Sequence, residues 1–333
     1  MAKRKQLQEY ILNEIRLGRL KPGDRIYSRS AFMAKFGCAR ATVDRVISDL
    51  VGSRTVVAEK GRGTFVAGPA KRKPGTKIAI AAPVISQPSL PQRIVHGLLE
   101  SLGGDRDVRF FTYEDLKHPQ SWERCKAQRG VVFVQPDAPH SPLLYEARAR
   151  GIPHLVLYRD PPESPFISID NRGGIAGLVD ALCARGRRRI AYVGSRPGRY
   201  HFPEQRYSGY LEGLLHNGLP LDKSLVGLVP PGAEDEFLAT LFQAGKEPDA
   251  VIAAEISSGL VIKAVEASGL IMGRDVLLGQ LDEVPANTYP FRVLSLRSIA
   301  GDIGREGAKV LLELIATPGM AVQKYITPDV VEQ

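Results

Sequence analysis

Arg40-Ala41-Thr42-Val43-Asp44-Arg45, followed by Gly61-Arg62-Gly63-Thr64-Phe65-Val66, decides how the first part of the chain folds. The first stretch starts a helix with Arg and Thr at its beginning, and a short strand, a glycine turn and a second strand come after it. That order is the pattern of a DNA-recognition helix with its wing. Gly61 and Gly63 permit a tight β-turn and close backbone approach to a phosphate. Arg62 at the tip presents a fork of donors where a groove or backbone oxygen would lie.

Upstream, Leu7, Ile11, Leu12 and Ile15 recur at helical spacing over residues 5–17, with Gly18 as a stop. Lys21-Pro22-Gly23-Asp24 reads as a turn. Ser28 or Ser30 suits the N-cap of a short helix through Phe36, with Phe32, Met33 and Phe36 facing inward and Gly37 ending it. The next helix turns Val43, Val46, Ile47 and Leu50 inward. Two helices joined by a glycine turn make a helix-turn-helix. Thr55–Ala58 and Thr64–Ala67 alternate as two strands.

Charge is placed to match. The chain of 333 residues carries a net +9, yet residues 1–76 alone hold 17 Lys/Arg against 6 Asp/Glu, so the remainder is slightly acidic. A basic excess confined to the first quarter is what phosphate neutralisation requires. No apolar run approaches the roughly 18 residues that span a bilayer, and no secretory leader pattern is present. Cys38, Cys125 and Cys183 form no C-x-x-C pair, which argues against a disulfide framework or a zinc site and for a reducing cytoplasm.

Residues 68–76 (Gly-Pro-Ala-Lys-Arg-Lys-Pro-Gly-Thr) form an expected linker whose basic run could graze DNA or simply stay solvated. Beyond it, short β-branched runs alternate with helical segments. Ile78–Ala81, Val108–Phe111, Val131–Val134 and Leu155–Tyr158 make one set, and Ile190–Val193, Val226–Val229, Val251–Ala253 and Val276–Leu278 a second. Such runs imply parallel strands buried on both faces, hence an α/β unit of two doubly wound lobes.

The first 67 residues resemble the winged helix-turn-helix of the gluconate-repressor (GntR) family, on Lys21–Asp24, Ser28, Gly37, Arg40, Thr42, Val43 and Gly61–Val66. The resemblance implies major-groove entry by the start of the third helix and minor-groove contact by the wing. Its candidate DNA-binding residues are Ser28, Arg29, Arg40, Thr42, Arg45, Gly61, Arg62 and Gly63. Arg45 serves equally well as a helix-surface charge. The family usually has Pro and Arg where Tyr27 and Ser30 stand. Asp44 replaces a common basic residue and would repel a phosphate.

Residues 77–333 resemble the sensor of the lactose-repressor (LacI) family, which has the periplasmic sugar-binding fold. The matches are Gly151-Ile152-Pro153, Ile167–Asn171, Gly186–Gly194, Arg206–Tyr210, Pro248–Val251, Asp275-Val276 and Leu281–Pro285. The combined architecture is similar to arabinose-repressor-type regulators. It implies hinge crossings near 165–171, 292–296 and 318–322, a helix from Ser298 to about Ala316 in the first lobe, and Tyr325-Ile326-Thr327 in the second. It implies Ser89, Tyr158, Arg159, Asp170, Arg206, Glu255 and Asp282 as effector-binding candidates, with Asp282 and Arg206 foremost. Gln280 stands for a usual Gly and would alter the pocket. Trp122 could stack on a sugar ring, though such a Trp more often sits in a core.

No G-x-S-x-G, H-E-x-x-H or phosphate-binding glycine loop occurs, so no catalytic residue, metal or cofactor is expected. The expected protein is a cytoplasmic repressor-type regulator. Its partners would be double-stranded DNA with a palindromic operator, a sugar or sugar derivative, and a second copy of the chain; no membrane is implicated. The alternative is a dimeric DNA-binding protein blind to effectors.

Overall fold

The computed structural model describes residues 2–333 apart from 54, 60–61, 68–75, 85–88, 104–105, 197–201, 231, 244, 246 and 286–287. The chain divides into two compact units, Met1–Gly75 and Thr76–Gln333. The basic linker run, and Gly61 with it, lie outside the described residues.

The first unit holds α1 (Ala2–Arg16), α2 (Arg29–Phe36), α3 (Arg40–Gly52), β1 (Val56–Glu59) and β2 (Gly63–Val66). Leu7 and Ile11 of α1 meet Phe32 of α2 and Val43, Val46 and Leu50 of α3 in one core. Burying each such side chain contributes about 1.5–3 kcal/mol, enough for this small core to decide the helix angles. The Lys21–Asp24 turn closes through Asp24 N donating to Lys21 O at 2.9 Å and Lys21 N donating to the Asp24 carboxylate at 2.8 Å. Ser28 Oγ accepts from Ala31 N at 3.2 Å and so caps α2, as its hydroxyl suits. Gly37 takes the left-handed conformation that ends α2 and starts the turn into α3. Strands β1 and β2 pair antiparallel, Val56 opposite Val66 and Glu59 opposite Gly63, with the wing between them.

The second unit has two lobes, each built on a six-stranded sheet. In the first lobe β3 (Lys77–Ala82), β4 (Asp107–Thr112), β5 (Gly130–Val134), β6 (His154–Leu157), β7 (Phe166–Ile169) and β13 (Gln323–Ile326) run parallel in the order β13-β7-β6-β5-β3-β4. In the second, β8 (Ile190–Ser195), β9 (Val226–Val229), β10 (Ala250–Ala253), β11 (Leu277–Gln280) and β12 (Val293–Leu296) are parallel, and β14 (Val330–Glu332) adds an antiparallel edge. Every residue of β5, β6 and β10 is buried, because helices cover both faces.

Helices α4 (Leu90–Leu102) and α11 (Ala300–Ala316) pack closely on the first sheet, and α7 (Asn171–Ala184) and α8 (Phe202–His216) on the second. Gly304 makes the first pairing possible, since a Cβ there would lie 2.0 Å from Ile94 O. Trp122 sits in the first lobe's core on α5 (Pro119–Lys126) and donates its indole N–H to Glu146, so its ring packs within the core.

The chain crosses between lobes three times, and two crossings differ from expectation. The first is at Asp170, between β7 and α7. Residues 293–296 are β12 itself, so the second crossing falls at Arg297–Ile299. Tyr325 and Ile326 belong to β13, paired with Ser168 and Ile169 of the first lobe, so the third crossing follows them at 327–329 rather than at 318–322. Three hydrogen bonds stitch the crossings together. Thr327 Oγ1 donates to Asp170 Oδ2 at 2.8 Å, Arg297 Nε to Asp329 Oδ2 at 3.1 Å, and Arg297 N to Asp329 O at 2.8 Å.

Candidate functional site

In the first unit, the starts of α2 and α3 and the base of the wing share one groove of about 380 Å³, lined by Arg25, Ser28, Arg29, Arg40 and Gly63. Arg40 is the first residue of α3, and its side chain is 75% exposed. Asp44 lies one turn on, with its carboxylate 3.7 Å from Arg40 Nε. The other carboxylate oxygen accepts from Arg29 Nε. The expected repulsion of phosphate by Asp44 is therefore corrected. Its charge is neutralised by two arginines, which it holds side by side on one face.

Ser28 is committed to its cap and lies 2.9 Å from the Ser30 hydroxyl. Thr42 is half-buried beside Arg40, and Arg45 is exposed with no acidic partner among the described residues. Arg62 folds back along the wing, donating to Glu59 at 2.5 Å with its guanidinium 5.8 Å from the Phe65 ring centre. Gly63, at φ +124°, makes room for a neighbour: a Cβ would lie 2.6 Å from Arg25 Nε. Arg25 is a groove cation that sequence reasoning missed. Its backbone bridge to Phe65, with Ile26 N donating to Thr64 O at 2.9 Å and Val66 N to Asp24 O at 2.8 Å, brings it to the wing.

In the second unit a cleft of about 320 Å³ lies between the lobes, at the carboxyl ends of β6, β7, β11 and β12, where ligands bind in such sheets. The first lobe contributes Arg93, Tyr158 and Ile169, the second Asn171, Arg206 and Asp282, and the second crossing Arg297 and Ser298. A hollow of about 370 Å³ sits at the opposite, amino ends of β6, β7 and β13, around Pro153, Pro165 and Met320. The carboxyl-end cleft is preferred because charged groups from both lobes converge there.

Arg206 is held rigidly. Its side chain is only 12% exposed, Nε donates to Asn171 Oδ1 at 2.9 Å, and Nη1 pairs with Glu255. Glu255 thus acts through Arg206 and is absent from the cleft lining. Asn171 continues a chain of contacts. Its Nδ2 donates to Gln205 at 3.2 Å, Gln205 Nε2 donates to Asp160 at 2.8 Å, and Tyr325 O–H donates to the same carboxylate at 2.9 Å. That chain links the two lobes.

Tyr158 sits at φ +62° at the end of β6, and Gln135 and Glu255 adopt the same sterically poor conformation just beyond β5 and β10. Three non-glycine residues in that region, all just past the carboxyl ends of strands, two in the first-lobe sheet and one in the second, mark where the fold stores strain. The Tyr158 ring meets Phe202 edge-on at 5.9 Å. Burial raises the Tyr158 pKa above the usual tyrosine value, against the opposing pull of Arg206, so its hydroxyl stays a neutral donor.

Asp282 is exposed in the cleft, and its carboxylate has no hydrogen-bond or ion-pair partner among the described residues. Gln280 explains why. Buried, it donates to Asp282 O at 2.8 Å and to Ser295 at 3.2 Å and accepts from Ser258 at 2.8 Å, fixing the backbone while leaving the side chain open. Gln280 therefore braces the loop and does not line the pocket, contrary to expectation.

Three candidates are engaged elsewhere. Asp170 caps α7, accepting from Gly173 N at 2.8 Å with one oxygen and from Thr327 with the other. Ser89 caps α4, its hydroxyl 3.4 Å from Gln92 N. Arg159 donates to Tyr158 O at 2.9 Å and to Asp137 at 3.3 Å and lies over Phe202, outside the lining. Arg93, which does line the cleft, carried no sequence signal beyond being an arginine in a helix's first turn.

Comparison with known proteins agrees with this division. Residues 3–66 match the bacterial regulatory proteins of the gntR family, and residues 179–332 the periplasmic binding protein-like domain. The HTH-type transcriptional regulator AglR of Rhizobium meliloti is 26% identical over 192 residues, 56% of this chain and 54% of that protein. The chain thus matches about half the length of that relative. A LacI-family regulatory protein from Chloroflexus aggregans has a similar fold, with TM-score 0.64 at 18% identity over 76% of this chain and 96% of that one. The transcriptional regulator CelR–cellobiose complex is similar at TM-score 0.55 and 19% identity, over 88% of this chain and 89% of that one. No described helix is long and apolar enough to cross a membrane. Residues 3–66 thus match the gntR-family helix-turn-helix, and the two-lobed body has the periplasmic-binding-protein-like fold, similar to that of solved LacI-family regulators.

Proposed function

We propose that this chain is a sequence-specific DNA-binding transcriptional regulator, a repressor rather than an enzyme, whose operator affinity is set by a small polar effector in the interlobe cleft. The observation that carries the effector half is the open carboxylate of Asp282 in the same cleft as a guanidinium, Arg206, already locked in place. A carboxylate takes two hydroxyls and a guanidinium donates a fork, the pair a polyol needs. The fold likeness to a regulator solved with cellobiose supports a sugar or sugar derivative. In the head, Arg40 with Thr42 serves the major groove, Arg29 and Arg25 flank them, and Arg62 with Gly63 serves the wing contact. Ser28 contributes as the cap that positions α2.

The protein acts in the cytoplasm as a homodimer, since two heads match a palindromic operator and multiply a modest single-head affinity. Effector binding draws the lobes together about the three crossings. It changes DNA affinity only to the extent that it binds the two lobe arrangements unequally; a tenfold change corresponds to about 1.4 kcal/mol. The test is fluorescence anisotropy of the full chain on an operator selected from random DNA, with and without sugars. Sequence-selective binding that a sugar shifts is expected. Binding indifferent to every sugar would leave an effector-blind DNA-binding protein.

A further inference from the structure

The charges around the cleft do not cancel locally. Arg206 is neutralised by Glu255, and Arg297 by Asp302 at 2.9 Å and Asp329 at 3.1 Å. Arg159 is paired with Asp137. Two lining charges remain without an ion pair or side-chain hydrogen bond among the described residues: Arg93 on α4 of the first lobe and Asp282 after β11 of the second. They are opposite in sign and belong to opposite lobes. Both act on the Tyr158 hydroxyl from their own side, Asp282 raising its pKa and Arg93 lowering it.

Closing such a cleft around a ligand removes water from both charges, and a desolvated charge needs a partner. A neutral sugar satisfies Asp282 through its hydroxyls and leaves Arg93 with weak acceptors only. A planar or tetrahedral oxyanion matches the five fixed donors of a guanidinium bidentately. Tyr158, kept neutral by burial, adds an O–H donor on the same side and no repulsion. Apart from Asn171 and Ser298, the remaining wall is largely aliphatic, from Leu90, Ile169, Leu281, Leu296 and Ile299, and suits the C–H faces of a ring.

We propose that the effector is an acidic sugar, with a carboxylate or phosphate set on Arg93 and hydroxyls set on Asp282. This inference rests on the regulator reading given above. A ligand charged at one end only then bridges the lobes, and its acidic group gives closure its specificity.

Calorimetric titration of the full chain at fixed ionic strength tests it. The probes are glucose, galactose and mannose, the three corresponding uronates, and the three 6-phosphates, each against wild type, Arg93→Gln and Asp282→Asn. We expect an acidic form to bind roughly 30-fold tighter than its neutral parent, the scale of one charge-assisted hydrogen bond. The uronate and phosphate arms tell which anion is used. Arg93→Gln should erase that preference, and Asp282→Asn should weaken acid and parent by the same factor. Both variants should melt like wild type, since neither side chain makes an ion pair or side-chain hydrogen bond among the described residues.

Equal or tighter binding of the neutral parents, an acid preference that survives Arg93→Gln, or no binding of any acidic probe would overturn the inference. Should Arg93 and Asp282 instead pair with each other on closure, Arg93→Gln would weaken neutral and acidic forms alike, which also overturns it. Neutral hexoses that bind at least as tightly as their acidic forms and shift operator affinity would sink this inference and leave the regulator reading standing. Tight binding of any probe with no effect on operator affinity would sink the regulator reading instead.

Discussion

Asp282 and Asp170 are both carboxylates close to the interlobe boundary, and the structure assigns them opposite fates on substitution. The Asp282 carboxylate has no hydrogen-bond or ion-pair partner among the described residues, and its backbone is held by Gln280 whatever its side chain does. Asp282→Ala therefore removes only a ligand contact. The loss should be about 1.5–3 kcal/mol, or roughly 10- to 150-fold in effector affinity, with ligand-free stability unchanged within about 0.5 kcal/mol. Asp170 spends both oxygens inside the protein, on the α7 cap and on Thr327. Asp170→Ala should cost about 1–2 kcal/mol of stability, a fall of roughly 2–8 °C in melting temperature for a unit of this size, with a much smaller effect on affinity. Differential scanning calorimetry and ligand titration on both variants form one assay. If Asp282→Ala melted early and kept its affinity, or Asp170→Ala did the reverse, the division of the two carboxylates would be wrong.

Other outcomes follow from the same geometry. Arg40→Ala should weaken operator binding by about 1–3 kcal/mol in a gel-shift titration, leaving ligand affinity untouched; undiminished binding would mean the wrong helix face. Gly304→Ala puts a methyl 2.0 Å from Ile94 O and 2.7 Å from Leu98 N, so thermal melts should show a loss of about 1–3 kcal/mol as α4 and α11 separate. Because Arg93 and Ala300 on those helices line the cleft, ligand affinity should fall with it. Removal of residues 1–76 should leave a dimer in light scattering that binds effector and not DNA; a monomer at micromolar concentration would contradict pairing through the second unit.

The parts legible in the sequence were those with strong local patterns. The cap at Ser28, the stop at Gly37 and the inward face of α3 each follow from a residue type at a fixed helical offset, and the buried strands from unbroken β-branched runs. What escaped reading was set by distant contacts. β13 is largely exposed at a sheet edge, so nothing in Gln-Lys-Tyr-Ile says which lobe's sheet it joins, and β14 has only three residues. The second crossing was misread because Val293–Leu296 is buried strand, a pattern that a hinge does not share. Asp44 read as a repulsive charge because Arg29, fifteen residues earlier, becomes its neighbour only when α2 and α3 cross. Asp170 and Ser89 cap helices instead of lining the cleft, because helix caps and ligand contacts draw on the same residue types.

In the proposed function, occupancy of the cleft sets the DNA affinity of the head. The most direct measurement is operator affinity of the full chain by fluorescence anisotropy at fixed salt, titrated with the tightest-binding sugar, in wild type and in Asp282→Ala. A saturable shift of about tenfold or more, equivalent to about 1.4 kcal/mol, is expected, tracking cleft occupancy and moving to higher ligand concentration in Asp282→Ala. A cleft shown by calorimetry to be filled, with operator affinity unchanged, would contradict it.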